Sequence, residues 1–135
     1  MKNIQILHVD DQSDIRDIVR LCLGLDPAFE VRSCSSGREA LDAVADNTPH
    51  LILLDVVMPG LTGPETARRL RDREDTAAVP IAFVTAREDE EETAALIAAG
   101  AVAVIRKPFA LRDLAPRLRG LVAPGTGPSA SCAGP

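Results

Sequence analysis

LILLDVVMPG, residues 51–60, decides the fold: four consecutive apolar residues run into Asp55 and then into a tight loop with Pro59 and Gly60. A short, continuous apolar run reads as a strand covered on both faces, and the polar residue at its carboxyl end then stands on the rim of the sheet. The same pattern recurs outward in both directions. Ile4 to Val9 ends in Asp10 and Asp11, Ile81 to Val84 ends in Thr85, and Val102 to Ile105 is followed two residues on by Lys107. Phe29 to Ser33 is weaker. It alternates Phe29 and Val31 with Glu30 and Arg32, which places it at a half-exposed sheet edge.

Helical periodicity fills the gaps. Ile15, Ile18, Val19 and Cys22 fall on one face of a first helix that Ser13 can cap. Ser36-Gly-Arg-Glu39 and Thr62-Gly-Pro-Glu65 read as capping boxes opening the second and third helices, with Ala40, Leu41 and Val44 of the second facing inward. The acidic run Glu88 to Glu92 favours the start of a fourth helix, which stops at Gly100. Leu111, Leu114, Leu118 and Leu121 mark the fifth, where Pro116 removes a backbone donor and predicts a kink or a late start. Strand and helix alternate throughout, so the fold class is α/β, a doubly wound parallel sheet of five strands with helices on both faces.

Composition narrows the function. The chain has 135 residues, 20 acidic and 15 basic side chains and a net charge of −5, which suits one domain. With three Phe and no Tyr or Trp, a net acidic chain lacks the charge and stacking platforms of a direct nucleic-acid binder. Its apolar runs fall far short of the ~20 residues a membrane crossing needs, and the stretch before Asp10 is too short for a signal-peptide core. A cytoplasmic protein with no membrane association is expected. Cys22, Cys34 and Cys132 are an odd set without metal-type spacing, so neither a disulfide framework nor a zinc site is suggested. Residues 123–135 carry no charge and are rich in Pro, Gly, Ala and Ser, which reads as a disordered tail or the start of a linker behind a domain spanning 1–122.

Ligands of an open parallel α/β sheet bind outside the carboxyl ends of its strands. Asp10, Asp11, Asp55, Thr85 and Lys107 must therefore converge on one rim. Three neighbouring carboxylates cannot all remain ionised without a positive charge among them, and Mg²⁺, a hard cation taking oxygen ligands, is the natural partner. Asp55, displayed by its tight loop, can then act as a nucleophile toward a phosphoryl group. Phosphoryl transfer needs mainly positioning and charge neutralisation, which Lys107 and the Thr85 hydroxyl can supply to the phosphoryl oxygens. A turn or helix-cap role for Asp10 and Asp11 is the bland alternative, and the complete set outweighs it. His8, inside a strand, and His50, at an exposed position before the third strand, read as structural, and Cys22 and Cys34 as buried thiols.

Taken together, Asp10-Asp11, Asp55 with Met58-Pro59-Gly60, Thr85-Ala86 and Lys107-Pro108-Phe109 resemble the receiver domain of two-component response regulators, over residues 4 to about 122. The resemblance implies the strand order 2-1-3-4-5 and phosphorylation of Asp55 by a histidine kinase or a histidine phosphotransfer protein. It implies that Asp11 and Asp55 bind Mg²⁺ directly, with the Val57 carbonyl as a third ligand and Asp10 acting through water. Lys107 would bridge Asp55 and the phosphoryl oxygen, held by a cis peptide bond to Pro108, a geometry affordable only before proline. Thr85 would swing toward the phosphoryl group and bias the fourth helix and fifth strand between two arrangements.

Three features depart from that pattern. Val104 stands where receivers usually carry Tyr or Phe, so weak coupling between phosphorylation and the face formed by the fourth helix, fifth strand and fifth helix is expected. Val102-Ala103 replaces acidic residues and makes a small apolar strip flanked by Glu88 to Glu92 and by Arg106, Arg112, Arg117 and Arg119; solvated charged faces are the commoner reading. The family's symmetric dimer contacts therefore do not carry over, and a monomer or weak dimer is expected. Pro116 is the third. Val57 cannot orient an attacking water and Arg87 can pair with the phosphate, so both dephosphorylation-tuning positions point to a long-lived phosphoform.

The expected function is a phosphoacceptor with no output domain of its own, signalling through phosphorylation-dependent binding of a downstream protein. Alternatives are a phosphorelay shuttle, a phosphate sink, or the receiver fragment of a larger regulator or hybrid kinase. A small Mg²⁺-dependent phosphatase is disfavoured, because enzymes with an aspartyl nucleophile typically need a second Asp where Val57 stands. A flavin carrier is disfavoured by the absence of Trp and Tyr and of a phosphate-cradling first loop. Catalysis is expected to extend no further than the protein's own phosphorylation and dephosphorylation.

Overall fold

The computed structural model describes residues 4–86, 89–107 and 111–122, with the Leu111 side chain left aside. In chain order the elements are β1 (Ile4–Val9), α1 (Ser13–Gly24), β2 (Phe29–Cys34), α2 (Gly37–Asp46), β3 (Leu51–Asp55), α3 (Gly63–Arg71), β4 (Ile81–Thr85), α4 (Glu90–Ala98), β5 (Ala103–Arg106) and α5 (Leu111–Leu121). The five strands form one sheet in the order β2-β1-β3-β4-β5. Every neighbouring pair is parallel. No described helix is long and apolar enough to cross a membrane.

Alternation along the strands feeds two cores. Leu7, Val9, Ile52, Leu54, Ile81 and Phe83 pack on one face with Ala40 and Val44 of α2, Leu70 of α3 and Leu96 of α4. Ile6, Leu51, Leu53, Ala82, Val84 and Ile105 pack on the other with Val19 and Leu23 of α1 and Leu114 and Leu118 of α5. All five residues of β3 are buried, which is why its sequence reads as an unbroken apolar run. Each fully buried Leu or Ile contributes about 1.5–3 kcal/mol. β2, at the edge, is buried only at Phe29 and Cys34.

Several local expectations change. Ser13 is the first residue of α1 rather than its cap; Gln12 holds the cap position and makes no side-chain cap bond. Ile18 is 38% exposed, and the buried α1 residues are Val19 and Leu23. At α2, Ser36 caps Glu39 as expected, but the Glu39 carboxylate accepts from the Ser35 N–H, one residue earlier than a capping box requires. The Thr62–Glu65 box is complete. At α4 the cap is Asp89, accepting from the N–H groups of Glu91 and Glu92, while Glu88 lies outside the described residues. α5 runs through Pro116 without a late start. Pro116 and Arg112, whose carbonyl loses its donor, both lie on the exposed side of the helix, while buried Leu114 and Leu118 hold it down. His50 is half-buried instead of exposed: its Nδ1 accepts from Gln5 N–H at 2.9 Å and its own N–H donates to the Gln5 carbonyl at 2.8 Å, joining β1 to the start of β3.

The loop after Asp55 is closed by a glycine. Val56 N–H bonds the Val84 carbonyl and Gly63 N–H bonds the Val56 carbonyl, both at 3.0 Å, so the start of α3 lies directly on the end of β3. A Cβ on Gly63 would overlap the Asp55 carbonyl oxygen and lie 2.8 Å from Val56 Cα, with backbone on both sides unable to yield. Gly63→Ala is therefore expected to lower stability by about 2–4 kcal/mol. Urea denaturation measures this, and a loss within error of zero would show that the loop can move.

Candidate functional site

Parallel strands deliver their carboxyl ends to one rim. β1 leads into Asp10, which is fully buried, and exposed Asp11; β3 ends in Asp55, 7% exposed; β4 ends in Thr85, 2% exposed. Lys107 follows β5, and its N–H donates to the Thr85 carbonyl at 2.8 Å. Carboxylate oxygens of Asp10, Asp11 and Asp55 lie within 4.8 Å of one another. Lys107 Nζ stands 3.1 Å from Asp10 Oδ2 and 3.5 Å from Asp55 Oδ1. Above them opens a cavity of about 320 Å³ lined by Asp11, Gln12, Asp55, Val57, Thr85, Ala86 and Lys107.

Asp10 is the fixed point. Its N–H donates to the Cys34 carbonyl at 3.1 Å, its Oδ1 accepts from Gln12 N–H at 2.9 Å, and its carbonyl accepts from Arg16 Nη1 at 2.6 Å. With Lys107 on Oδ2, each polar atom of this buried residue has a partner. Arg16 and Gln12 are additions to the predicted set. Neither carries a signal in the sequence beyond lying within five residues after the acidic pair.

Crowding raises the Asp55 carboxyl from 3.8 to about 6: burial contributes most, the Asp10 charge adds to it, and Lys107 only partly opposes them. Lys107 thus offsets only part of what burial and the Asp10 charge cost the ionised form. The donor set consists of carboxylate oxygens, which suits a hard divalent cation better than zinc or a soft metal. His8, in β1, is driven down to about 4 by burial, against the pull of Asp10, and its Nδ1 makes no hydrogen bond. It is a neutral interior imidazole, as a structural histidine should be.

Among the other sequence candidates, Val57 lines the mouth and is 64% exposed. Val104 is half-buried, packs against the core shared with α2, α3 and α4, and faces Phe83 across the β4–β5 pair. Pro108 and Arg87 lie outside the described residues, as does Phe109. Arg119 does not belong to the charged border of the α4–β5 edge. It forms a two-pronged bond to Asp26, 2.8 Å on each arm, and lies 5.5 Å over the Phe29 ring, tying α5 to the α1–β2 loop. Cys34 is buried and Cys22 half-buried, and burial raises both thiols.

An open parallel sheet with strand order 2-1-3-4-5 carries three carboxylates and a lysine on its carboxyl rim, the arrangement of a receiver-type fold. The description of response regulator receiver domains matches residues 6–119. Response regulator MprA of Mycolicibacterium vanbaalenii is 40% identical over 119 residues, which cover 88% of this chain and 50% of the relative. MprA of Mycobacterium tuberculosis is 39% identical over 120 residues, 89% of this chain and 51% of the relative. The solved structure of Vibrio cholerae chemotaxis protein CheY4 is similar with a TM-score of 0.82 at 31% identity, covering 88% of this chain and 98% of that one. The chain belongs to the response regulator receiver domain family of two-component systems. It spans about half the length of the curated relatives it matches.

The Asp55 shift carries a signed consequence. Its carboxyl titrates near 3.8 when unfolded and near 6 when folded, so above pH 6 the metal-free fold holds a charge that the unfolded chain solvates better. The penalty fades as pH falls from 6 and is gone below 3.8, where both states are protonated. Without metal, Asp55→Asn is expected to raise stability by about 1–2 kcal/mol near neutral pH, the open mouth screening part of the full shift. Urea denaturation at neutral pH and near pH 4 tests this. An equal gain at both would show that the effect is not electrostatic.

Proposed function

We propose that Asp55 is the phosphoacceptor of this receiver, taking a phosphoryl group from the phosphohistidine of a sensor kinase or a histidine phosphotransfer protein. The observation that carries the proposal is the gathering of Asp10, Asp11, Asp55 and Lys107 beneath one open cavity. An Asp55 carboxylate oxygen attacks phosphorus, the P–N bond to the donor imidazole breaks, and the imidazole leaves with the electron pair and takes up a proton. An acyl phosphate remains on Asp55. Lys107, already 3.5 Å from Asp55, meets one phosphoryl oxygen as a point charge, and the Thr85 hydroxyl donates to another. Asp11, Asp55 and the Val57 carbonyl would hold Mg²⁺, with Asp10 acting through water. A bound Mg²⁺ neutralises charge on the phosphoryl oxygens.

In this reading Thr85 and Val104 are the switch, and Val57 with Arg87 prolongs the phosphoform. Catalysis is confined to the protein's own phosphorylation and dephosphorylation. Residues 1–122 act as the receiver, with 123–135 a tail or linker. Output passes through α4 and β5 to a downstream protein. A relay shuttle, a phosphate sink and the receiver part of a longer regulator share this same site.

Docking of the donor is supported by α1, which starts two residues after Asp11. Ile18, Leu21 and Leu25, spaced i, i+3 and i+7, are 38%, 74% and 85% exposed, and Val57 adds apolar surface at the mouth. Such a stripe fits the flank of a helix presenting a phosphohistidine.

With a small-molecule phosphodonor and Mg²⁺, the wild type is expected to shift on a phosphate-affinity gel and Asp55→Ala is not. Leu21→Glu should keep that shift yet accept phosphate from a phosphorylated histidine protein about tenfold more slowly. No shift in the wild type would remove the central proposal, and equal transfer to Leu21→Glu would remove the docking face.

A further inference from the structure

A second cavity, of about 250 Å³, opens between α3 and α4 and shares no lining residue with the one above Asp55. Helices lying on the same sheet face normally interlock their side chains. Here Ala67 of α3 and Ala99 at the end of α4 line the gap and are too short to meet across it. α4 enters the core through Leu96 alone among its described residues. Its far end is held by Arg71, which donates to the Gly100 carbonyl at 2.7 Å and to the Ala77 carbonyl at 2.9 Å. The cleft is therefore braced at that end.

Its floor is apolar and its mouth is cationic. Phe83 and Leu96 form part of the floor, 2% and 5% exposed. The Arg68 side chain, exposed on the rim, makes no hydrogen bond or ion pair with any described residue, although its charge helps hold the Glu65 carboxyl down. Glu65, one turn back, commits its carboxylate to the Thr62 N–H. Arg68 and Arg71 together outnumber the single carboxylate lining the cleft, that of Asp72.

We infer that this cleft binds a small amphipathic anion, its apolar ring or branched chain lying on Phe83 and Leu96 and its carboxylate meeting Arg68. The volume is just below the range of drug-sized pockets and suits roughly a dozen heavy atoms. Phe83 faces Val104 across the strand pair and sits two residues before Thr85 on the same side of β4. An occupant thus touches the side chains lying between Thr85 and α4, and its binding and the state of Thr85 are reciprocally linked. The binding itself does not depend on Asp55 being a phosphoacceptor.

The probe is 4-phenylbutyrate, titrated into ¹⁵N-labelled protein by NMR. Saturable shifts at the Ala67, Leu96, Ala99 and Ala101 amides are expected, with a Kd of about 0.1–1 mM. Arg68→Glu, an exposed change that leaves the core intact, should weaken binding about five- to tenfold, and uncharged 4-phenylbutanamide should bind wild type as weakly. Ala67→Phe should abolish it by filling the cleft; if that variant does not fold, Arg68→Glu decides. Absence of saturable shifts below about 10 mM, or binding indifferent to Arg68→Glu, would overturn the inference. So would binding of an acetylated Glu-Phe-Glu amide without binding of phenylbutyrate, which would make the cleft a protein dock.

Discussion

Repulsion among Asp10, Asp11 and Asp55 is the constraint around which the rim is built. Their oxygens lie within 4.8 Å of one another because the segments after β1 and at the end of β3 meet there, and the sheet does not let them part. Asp10 cannot relax the strain, since its N–H, its carbonyl and both carboxylate oxygens are each bonded. Asp55 takes it up instead: burial first, and then the Asp10 charge, raise its carboxyl to about 6. His8, two residues before Asp10, responds to the same burial with the opposite sign. Its imidazole is lowered from 6.5 to about 4, so it withdraws stability as pH falls through the window in which Asp55 returns it. The metal-free fold is thereby buffered against mild acid by two neighbours whose linkages oppose each other.

What the sequence makes legible follows from where the physics is local or repetitive. Strand identity is carried by apolar runs bounded by polar residues, and the convergence of Asp10, Asp55, Thr85 and Lys107 follows once those strands are parallel. The Thr62–Glu65 box is equally local, with donor and acceptor three residues apart. Other features depend on partners distant in sequence. Arg119 reads as one more surface cation until Asp26 and the Phe29 ring are found beneath it. His50 reads as exposed until the Gln5 backbone arrives. At α1 the error is one of phase: Ile18 and Leu23 compete for the inward face, and packing rather than periodicity selects Leu23.

The two faces of the sheet are held unequally, and that inequality bears on signalling. α1 and α5 share a core with each other, and Arg119 ties α5 at the surface to the α1–β2 loop. α4, on the other face, contributes Leu96 and little else, and the Arg71 clip holds its end. An element attached by so few contacts needs little free energy to move, and a single new hydrogen bond at Thr85 is of that order. If Thr85 is the switch proposed above, the helix beside it is, among the described helices, one that is easily biased.

Val104 sharpens the point. A ring at that position would fill the space beside β4, and its movement would report the position of Thr85. With valine there, the aromatic side chain in this layer among the described residues is Phe83, on β4 itself, two residues from Thr85 and facing Val104 in the register. In the switch reading proposed above, a readout through this face would pass along β4 and across the α3–α4 gap rather than through a ring on β5. The space left by small side chains is where the fold retains freedom to change.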